Sequence, residues 1–418
     1  MYSVRKKSYH LLYFFLQPFF TVLYYLRNFR APHAKNVMWL FAIFYGLTFA
    51  IGEENSNADI VRYMAEVPMI EKMDMGIRDF LFYYKSTGEF DILRSILAFS
   101  VALFTDNGFY LIIVYGIIYG FFFSRNMWFV LDRLEGKIKP FTRILLLCLF
   151  LSIPLWSMNG FRFWTAAHVF IYGLLPFLYE KKKKPLIWCF ITPFVFHYSF
   201  LSALMPIVAY LILGNRLRLF YFMFIFSLLF SEINIKSFNK AVENYAPTAL
   251  VERSSGYRDT DKVEELRESA NEHKVWYARY YKNLMKYLLL IYIFTFYSLY
   301  KHSIKKDKEL LRMLCFILLF FGFSNFFSSI PSGYRFMNVS NLLTLSFIVL
   351  YYQNNPTPRV LYTVTKLTGI FFILVSVVNL RMSWYSFSVM TLAGNPLTAI
   401  FSFGENLSIN DVIKGFLN

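Results

Sequence analysis

The sequence predicts an all-α, polytopic membrane protein of about ten to twelve transmembrane helices, and three observations lead there. Of its 418 residues, 57% are hydrophobic and 21% aromatic, and the mean hydropathy is +0.44. Only 17% are charged, against roughly 25% in an ordinary soluble domain. The apolar residues also come in blocks of about 17 to 25, long enough to cross a hydrocarbon core of about 30 Å as helices, while the charges collect between the blocks. That pattern excludes a soluble enzyme.

The formal charge of +17 does not point to nucleic acid, because the Lys and Arg residues sit in short loops between apolar blocks, as Lys181, Lys182, Lys183 and Lys184 do. It is a topology signal. Cys148, Cys189 and Cys315 all fall inside apolar blocks and read as small core residues, with neither a disulfide framework nor a thiolate metal cluster behind them. The N-terminus has a basic start (Arg5, Lys6, Lys7) and an apolar stretch over 11–26. No small-residue cleavage site follows, so the segment is expected to be retained. Basic flanks and Gln17-Pro18 in its middle predict that it lies in the membrane interface. No internal repeat or second soluble domain is evident, and 1–418 reads as a single membrane domain.

Short basic loops belong on the cytoplasmic side, which places 27–35, 132–143, 181–184, 215–218, 301–308 and 353–359 there. Candidate spans are 37–51, 109–131, 144–158, 163–179, 219–230, 284–300, 309–329, 336–352 and 360–380. Between the loops at Lys184 and Asn215 the chain is too short for two full spans, so 185–213 is expected to form a short helical hairpin. Pro193 and Pro206 bracket its turn at His197-Tyr198-Ser199. Two large segments then fall outside, 52–108 and 231–283, both expected to carry helices lying on the membrane. Within the first, 90–104 is apolar enough to dip into lipid; the second has a charged helical pattern over 259–274, which reads as a solvated face.

Charges at span ends facing the outside are informative, because an ionised group there is costly unless water, a partner or a substrate satisfies it. Four clusters qualify. In Asp59-Ile60-Val61-Arg62-Tyr63, helical spacing puts Asp59, Arg62 and Tyr63 on one face. Asn159-Gly160-Phe161-Arg162 makes a tight turn with Arg162 opening a helix; Phe196-His197-Tyr198-Ser199 is the hairpin turn; Gly333-Tyr334-Arg335 precedes a late span. Arginine's planar fork binds phosphate in a bidentate way and stays charged in partly apolar surroundings. Arg62, Arg162 and Arg335 are therefore candidate clamps for a diphosphate or glycan, with Asp59 or His197 as a candidate base for a sugar hydroxyl.

Each has a plainer reading. A membrane-end arginine snorkels or makes a structural ion pair, Asp59 and Arg62 form a local pair, His197 is a satisfied polar group at a helix turn, and His168, inside a span, is structural. The many Phe and Tyr side chains pack and face lipid, and some in outer loops are suited to stacking on sugar rings. Absences also narrow the field. There is no G-x-x-x-x-G-K loop for nucleotide and no H-E-x-x-H run for a metal. No chain of intramembrane acids suits a proton relay. A donor that already carries a diphosphate leaving group needs none of these, and no cofactor is expected.

The order of these motifs resembles the EpsG-like polysaccharide polymerases of the Wzy class. The likeness rests on Asp59, Arg62 and Tyr63 after an early span, on Asn159 and Arg162 opening another, on Lys181–Lys184 followed by Phe196, His197 and Ser199, and on Tyr334-Arg335 before a late span. It runs from about residue 37 to 380. The commoner family form has a Gln after the turn arginine, where Phe163 stands here. The resemblance implies a glycosyltransferase C-like membrane fold and transfer of a growing glycan from a polyprenyl diphosphate onto the next lipid-linked repeat unit. The reaction would lie outside a bacterial cytoplasmic membrane and use no nucleotide. Arg62, Tyr63, Asn159, Arg162, Tyr334 and Arg335 would then hold substrate, and Asp59 and His197 would act on it. The implied partners are lipid-linked donor and acceptor and the bilayer, with a chain-length regulator and a flippase as protein partners and no nucleic acid.

Rival readings remain at this level. A ligase moving finished glycan to another acceptor shares the chemistry. A flippase would favour pseudo-symmetric halves around a water-filled cavity, and no such halves are evident. A membrane acyltransferase would need a histidine deep in the bilayer, for which only His168 qualifies, and a purely structural scaffold would leave four polar clusters on one side unexplained.

Overall fold

A computed structural model of the chain describes residues 11–52, 58–86, 92–229, 276–328 and 333–417. Among these the protein is helical throughout, with one isolated bridge between Ser388 and Ser408 in place of any sheet. Four helical stretches are long and apolar enough to cross a membrane: Phe109–Leu131, Pro140–Glu180, Lys308–Phe327 and Arg359–Ser383. Further apolar helices of 10–17 residues surround them. The chain is an all-α, multi-pass membrane protein. The expected helical pattern over 259–274 lies outside the described residues.

The chain begins with α1 (Pro18–Arg27) and α2 (Ala34–Leu47). The sequence predicted that the first of these lies in the interface. In the structure this helix packs along α2, with Phe19 and Phe41 rings 6.2 Å apart, and Thr21, Val22 and Tyr25 form its buried stripe. Three short helices follow, α3 (Asp59–Lys72), α4 (Ile77–Ser86) and α5 (Ile92–Ala102). Next come α6 (Phe109–Leu131), α7 (Pro140–Ser152) and α8 (Phe161–Glu180). Between α7 and α8, Pro154 removes a backbone donor and a tight 3-10 turn over Leu155–Gly160 reverses the chain.

Helices α9 (Leu186–Val195) and α10 (Phe200–Leu213) are joined by 196–199, and α11 (Leu217–Leu229) follows. After the undescribed stretch come α12 (Trp276–Thr295), a single π-turn over Phe296–Tyr300, and α13 (Lys301–Lys306). Next are α14 (Lys308–Phe327), whose cap Asp307 accepts from the amides of Glu309 and Leu310, α15 (Arg335–Asn354) and α16 (Arg359–Ser383). Three short helices close the chain, α17 (Val389–Ala393), α18 (Pro396–Phe401) and α19 (Ile409–Leu417). Helix α15 is buried at every residue from Val339 to Gln353, which makes it the axis against which α7, α12 and α14 pack. Its hydroxyls bond either a neighbouring helix, as Ser340 does Ser324 at 2.7 Å, or carbonyls of their own helix, as Thr344 and Ser346 do.

One end of the bundle is closed by basic side chains donating to loop carbonyls. Arg30 reaches the carbonyls of Leu134 and Gly136 at 2.7 Å. Lys139 reaches those of Tyr352 and Asn355 at 2.6 and 2.7 Å, and Arg312 reaches Leu178 at 2.7 Å. Arg133 pairs with Glu180. Loops at 27–35, 132–143, 181–184 and 353–359 therefore meet at a common end, and helices α8 and α15 both run away from the opposite one.

Helices α2 and α6 approach too closely for side chains. A Cβ on Gly116 would fall 2.6 Å from the Ala42 carbonyl oxygen, and one on Gly46 would fall 2.8 Å from that of Ile112. Both obstacles are backbone, so a larger residue separates the helices, the usual reason for small residues at a membrane helix contact. Gly116→Val should cost about 1–3 kcal/mol through overpacking. It should appear as a lower thermal midpoint of the detergent-purified protein, while Gly415→Ala, which meets nothing within 4 Å, should leave the midpoint unchanged.

Candidate active site

The site forms at the end of the bundle away from the basic loops, around the first turn of α8. Three consecutive residues there point three ways. Phe161 stacks face to face on Tyr115 of α6, ring centroids 3.6 Å apart. Arg162 hydrogen-bonds the Tyr63 hydroxyl. Phe163 turns to the other side, 5.4 Å from the His197 ring, 5.2 Å from Phe200 and 5.4 Å from Phe336. The Arg335 guanidinium lies 5.5 Å from the centroid of that same Phe163 ring. Phe163 thus joins the start of α8, the α9–α10 turn and the start of α15.

The α3 cluster attaches through Tyr63. Its ring is buried against Tyr115 at 6.4 Å, and the Arg94 guanidinium sits 5.0 Å from its centroid. Burial, reinforced by the Asp59 carboxylate, raises the Tyr63 phenol above its ordinary value, with Arg162 and Arg94 pulling the other way. The phenol stays protonated at neutral pH and presents a neutral hydroxyl to Arg162. Asp59 and Arg62 form an ion pair, and the Arg62 side chain is 71% exposed. Of the three arginines singled out in the sequence, Arg162 meets Tyr63, Arg335 lies over Phe163, and Arg62 stays exposed.

At His197, the Ser199 amide donates to Nδ1 at 3.2 Å, and the Ser199 hydroxyl lies 2.8 Å from the same atom. An acceptor Nδ1 in a neutral imidazole puts the ring hydrogen on Nε2. Asn159, in the 3-10 turn before α8, has a buried Oδ1 with no hydrogen-bond partner among the described residues, which makes it an acceptor awaiting a donor at the mouth of the site. Tyr334 is exposed and lies under the Lys282 ammonium, 5.5 Å from its ring centroid.

Two members were missed in the sequence. Arg94 is 6% exposed, the one arginine, lysine or acidic residue fully buried among the described residues, and it pairs with Glu66. The signal was present: Arg94 is the lone charge within 92–104, and Glu66 stands three residues after Tyr63, on its face. His168 is removed from the site. Its Nδ1 lies 3.2 Å from Asn126 Nδ2, and its Nε2 lies 3.2 Å from both the Tyr119 hydroxyl and the Ile153 carbonyl. With both nitrogens engaged, it is a structural residue. Among the described residues no group of three or more His, Cys, Asp or Glu side chains could hold a metal ion.

The arrangement can place two guanidinium groups, a phenol and an imidazole N–H around an anionic oxygen cluster, with one carboxylate at its edge. Because Phe163 carries both Arg335 and His197, Phe163→Ala should cost about 3–5 kcal/mol of stability, seen as a lowered thermal midpoint. Tyr63→Phe, which deletes only a hydroxyl hydrogen-bonded to Arg162, should cost about 0.5–1.5 kcal/mol.

Comparison with known proteins agrees with this organisation. The family model described as the EpsG family matches residues 37–389, a stretch from α2 to the start of α17 that includes every group described above. No curated protein and no solved structure matches the chain. The matched stretch is most of the sequence, and the chain belongs to the EpsG family of Wzy-type polysaccharide polymerases.

Proposed function

We propose that the protein polymerises polyprenyl-diphosphate-linked oligosaccharide repeat units into surface polysaccharide at the outer face of a bacterial cytoplasmic membrane. The observation that carries this reading is the convergence on Phe163. Arg335 rests on an aromatic face, with no ion pair among the described residues, and Arg162 rests on a phenol. A guanidinium fork matches two phosphate oxygens, and Arg335 on its ring suits an incoming dianion, with Arg162 beside Tyr63 as the second candidate clamp.

In the proposed reaction Arg162 and Arg335 hold the diphosphate of the donor, and His197 Nε2–H donates to one of its oxygens. Tyr63 and Arg94 support Arg162 from behind, and Asn159 and Tyr334 contact the glycan. The acceptor hydroxyl oxygen attacks the anomeric carbon of the donor, and the bond from that carbon to the phosphate oxygen breaks. Polyprenyl diphosphate leaves with the electron pair. Asp59, oriented by Arg62, takes the hydroxyl proton. The charge of the leaving group grows where the guanidinium groups already stand, so they stabilise the transition state more than the ground state.

Gel analysis of surface glycan and of lipid-linked intermediates tests the reading. Cells deleted for the gene should carry glycan capped by a single repeat unit. The wild-type gene should restore long chains, and Arg162→Ala should not. Full-length polymer stranded on lipid carrier would instead identify a ligase, and single units trapped inside would identify a flippase. Arg335→Lys keeps the charge and loses the fork, and should cut polymer formation at least tenfold at unchanged protein level. Orientation is checked separately. Because the three native cysteines are buried, Tyr334→Cys should react with a membrane-impermeant maleimide in intact cells, and Lys183→Cys only after permeabilisation.

A further inference from the structure

One cleft near the site has no role in the chemistry above. It lies where α7, α12, α15 and α16 meet and is lined by Leu151, Ser152, Tyr281, Lys282, Met285, Asn338, Asn341, Val375 and Asn379. The cleft adjoins the diphosphate clamps by two routes. Asn338 and Asn341 follow Arg335 along α15 at three-residue steps of about 4.5 Å along the axis, each shifted by about 60° around it. Lys282, on its rim, covers the ring of Tyr334.

The composition of the walls restricts the occupant. Asn341 is 5% exposed, and its Oδ1 has no hydrogen-bond partner among the described residues. A buried amide oxygen in that state costs about 1–3 kcal/mol, so the site calls for an N–H or O–H donor. No acidic side chain lines the cleft, which disfavours a cation. One wall is apolar, made by Leu151, Met285 and Val375, and the other is polar, made by Asn338, Asn341, Asn379 and Ser152. The void is about 40 Å³, on a scale where one water takes about 10–15 Å³. A group of three or four heavy atoms fits. A hydroxyl is too small and leaves the apolar wall uncovered, and a carboxylate has no hydrogen for Asn341 Oδ1.

We propose that this cleft seats the acetamido group of a 2-acetamido sugar joined directly to the lipid diphosphate. The acetamido N–H donates to Asn341 Oδ1, its carbonyl oxygen accepts from the amide and hydroxyl groups opposite, and its methyl lies on Leu151, Met285 and Val375. The substituent on carbon 2 is adjacent to the anomeric carbon that bears the diphosphate. A diphosphate at Arg335 therefore brings it within about one helical turn, the distance at which Asn338 begins the cleft. The inference rests on the diphosphate reading given above and adds the identity of the sugar.

The two readings fail separately in a binding experiment on the detergent-purified full chain, by isothermal titration. The probes are geranyl diphosphate, geranyl diphospho-N-acetylhexosamine, the matched hexose and the matched hexuronic acid, in gluco and galacto pairs. In wild type the acetamido compound should bind at least tenfold tighter than the hexose in one of the pairs. Asn341→Leu, and independently Asn338→Ala, should close most of that gap in protein whose thermal midpoint shows it is folded. Equal affinity for acetamido and hydroxyl compounds, with geranyl diphosphate still binding, would overturn the acetamido subsite and leave the diphosphate site standing. A tighter uronic acid, or a gap that persists in both folded variants, would also overturn it. Failure of every probe to bind would remove the diphosphate site and the cleft's role together.

Discussion

A hydrocarbon slab offers no water to a polar group, so each helix end must find its own hydrogen-bond partners, and this protein meets the constraint differently at its two ends. At the basic end the cations of Arg30, Lys139 and Arg312 donate to backbone carbonyls of neighbouring loops. Those contacts are saturating and local, and they lock the loops together. At the other end, Arg335 faces a ring and Arg162 a phenol. A cation on an aromatic face is stabilised by the ring's quadrupole and retains the donors of its fork. One end of the bundle is therefore closed structure, and the other is where the proposed function places its substrate. The functional reading follows from that difference more than from any single residue.

The turn at α8 shows how such an end is assembled. Pro154 stops one helix, the 3-10 turn reverses the chain, and the first turn of α8 then distributes Phe161, Arg162 and Phe163 to three neighbours. Because side chains one residue apart on a helix diverge by about 100°, a run of three can tie three elements together only at a helix start, where no preceding turn blocks one of the directions. The Phe163 ring, standing where the commoner family form has Gln, accordingly serves as a platform between His197 and Arg335 and makes no polar contact of its own.

Much of this was legible in the sequence because the bilayer writes in length and charge. Apolar blocks and basic loops identified the helical membrane class, and the span expected over 336–352 coincides with α15 at 335–354. For α1, the break at Gln17-Pro18 was legible as the helix start, whereas the neighbour that covers Thr21, Val22 and Tyr25 was not. For the site, the residue types were readable and their partners were not. Arg62 and Arg162 look alike in sequence, yet one lies in an exposed pair and the other on a buried phenol. What separates them is which helix crosses above, and that depends on α5, whose Arg94 was visible only as a charge inside an apolar stretch. The polar cleft was invisible because its walls come from four helices spread over more than half the chain.

The last helices have a consequence for how the protein is made. The Tyr45 hydroxyl is bonded to Ser386 at 2.9 Å, and Thr48 to Thr391 at 2.8 Å, partners 341 and 343 residues downstream. At about 5–20 residues per second of synthesis, the end of α2 waits roughly 20–70 s for the residues that complete it. During that interval a buried phenol at the membrane's edge must be sheltered by lipid headgroups, water or the insertion machinery. The C-terminal segment is thus the clasp that ends assembly, and a ribosome that stops short of it releases a chain whose first long hairpin is already in the membrane and still open.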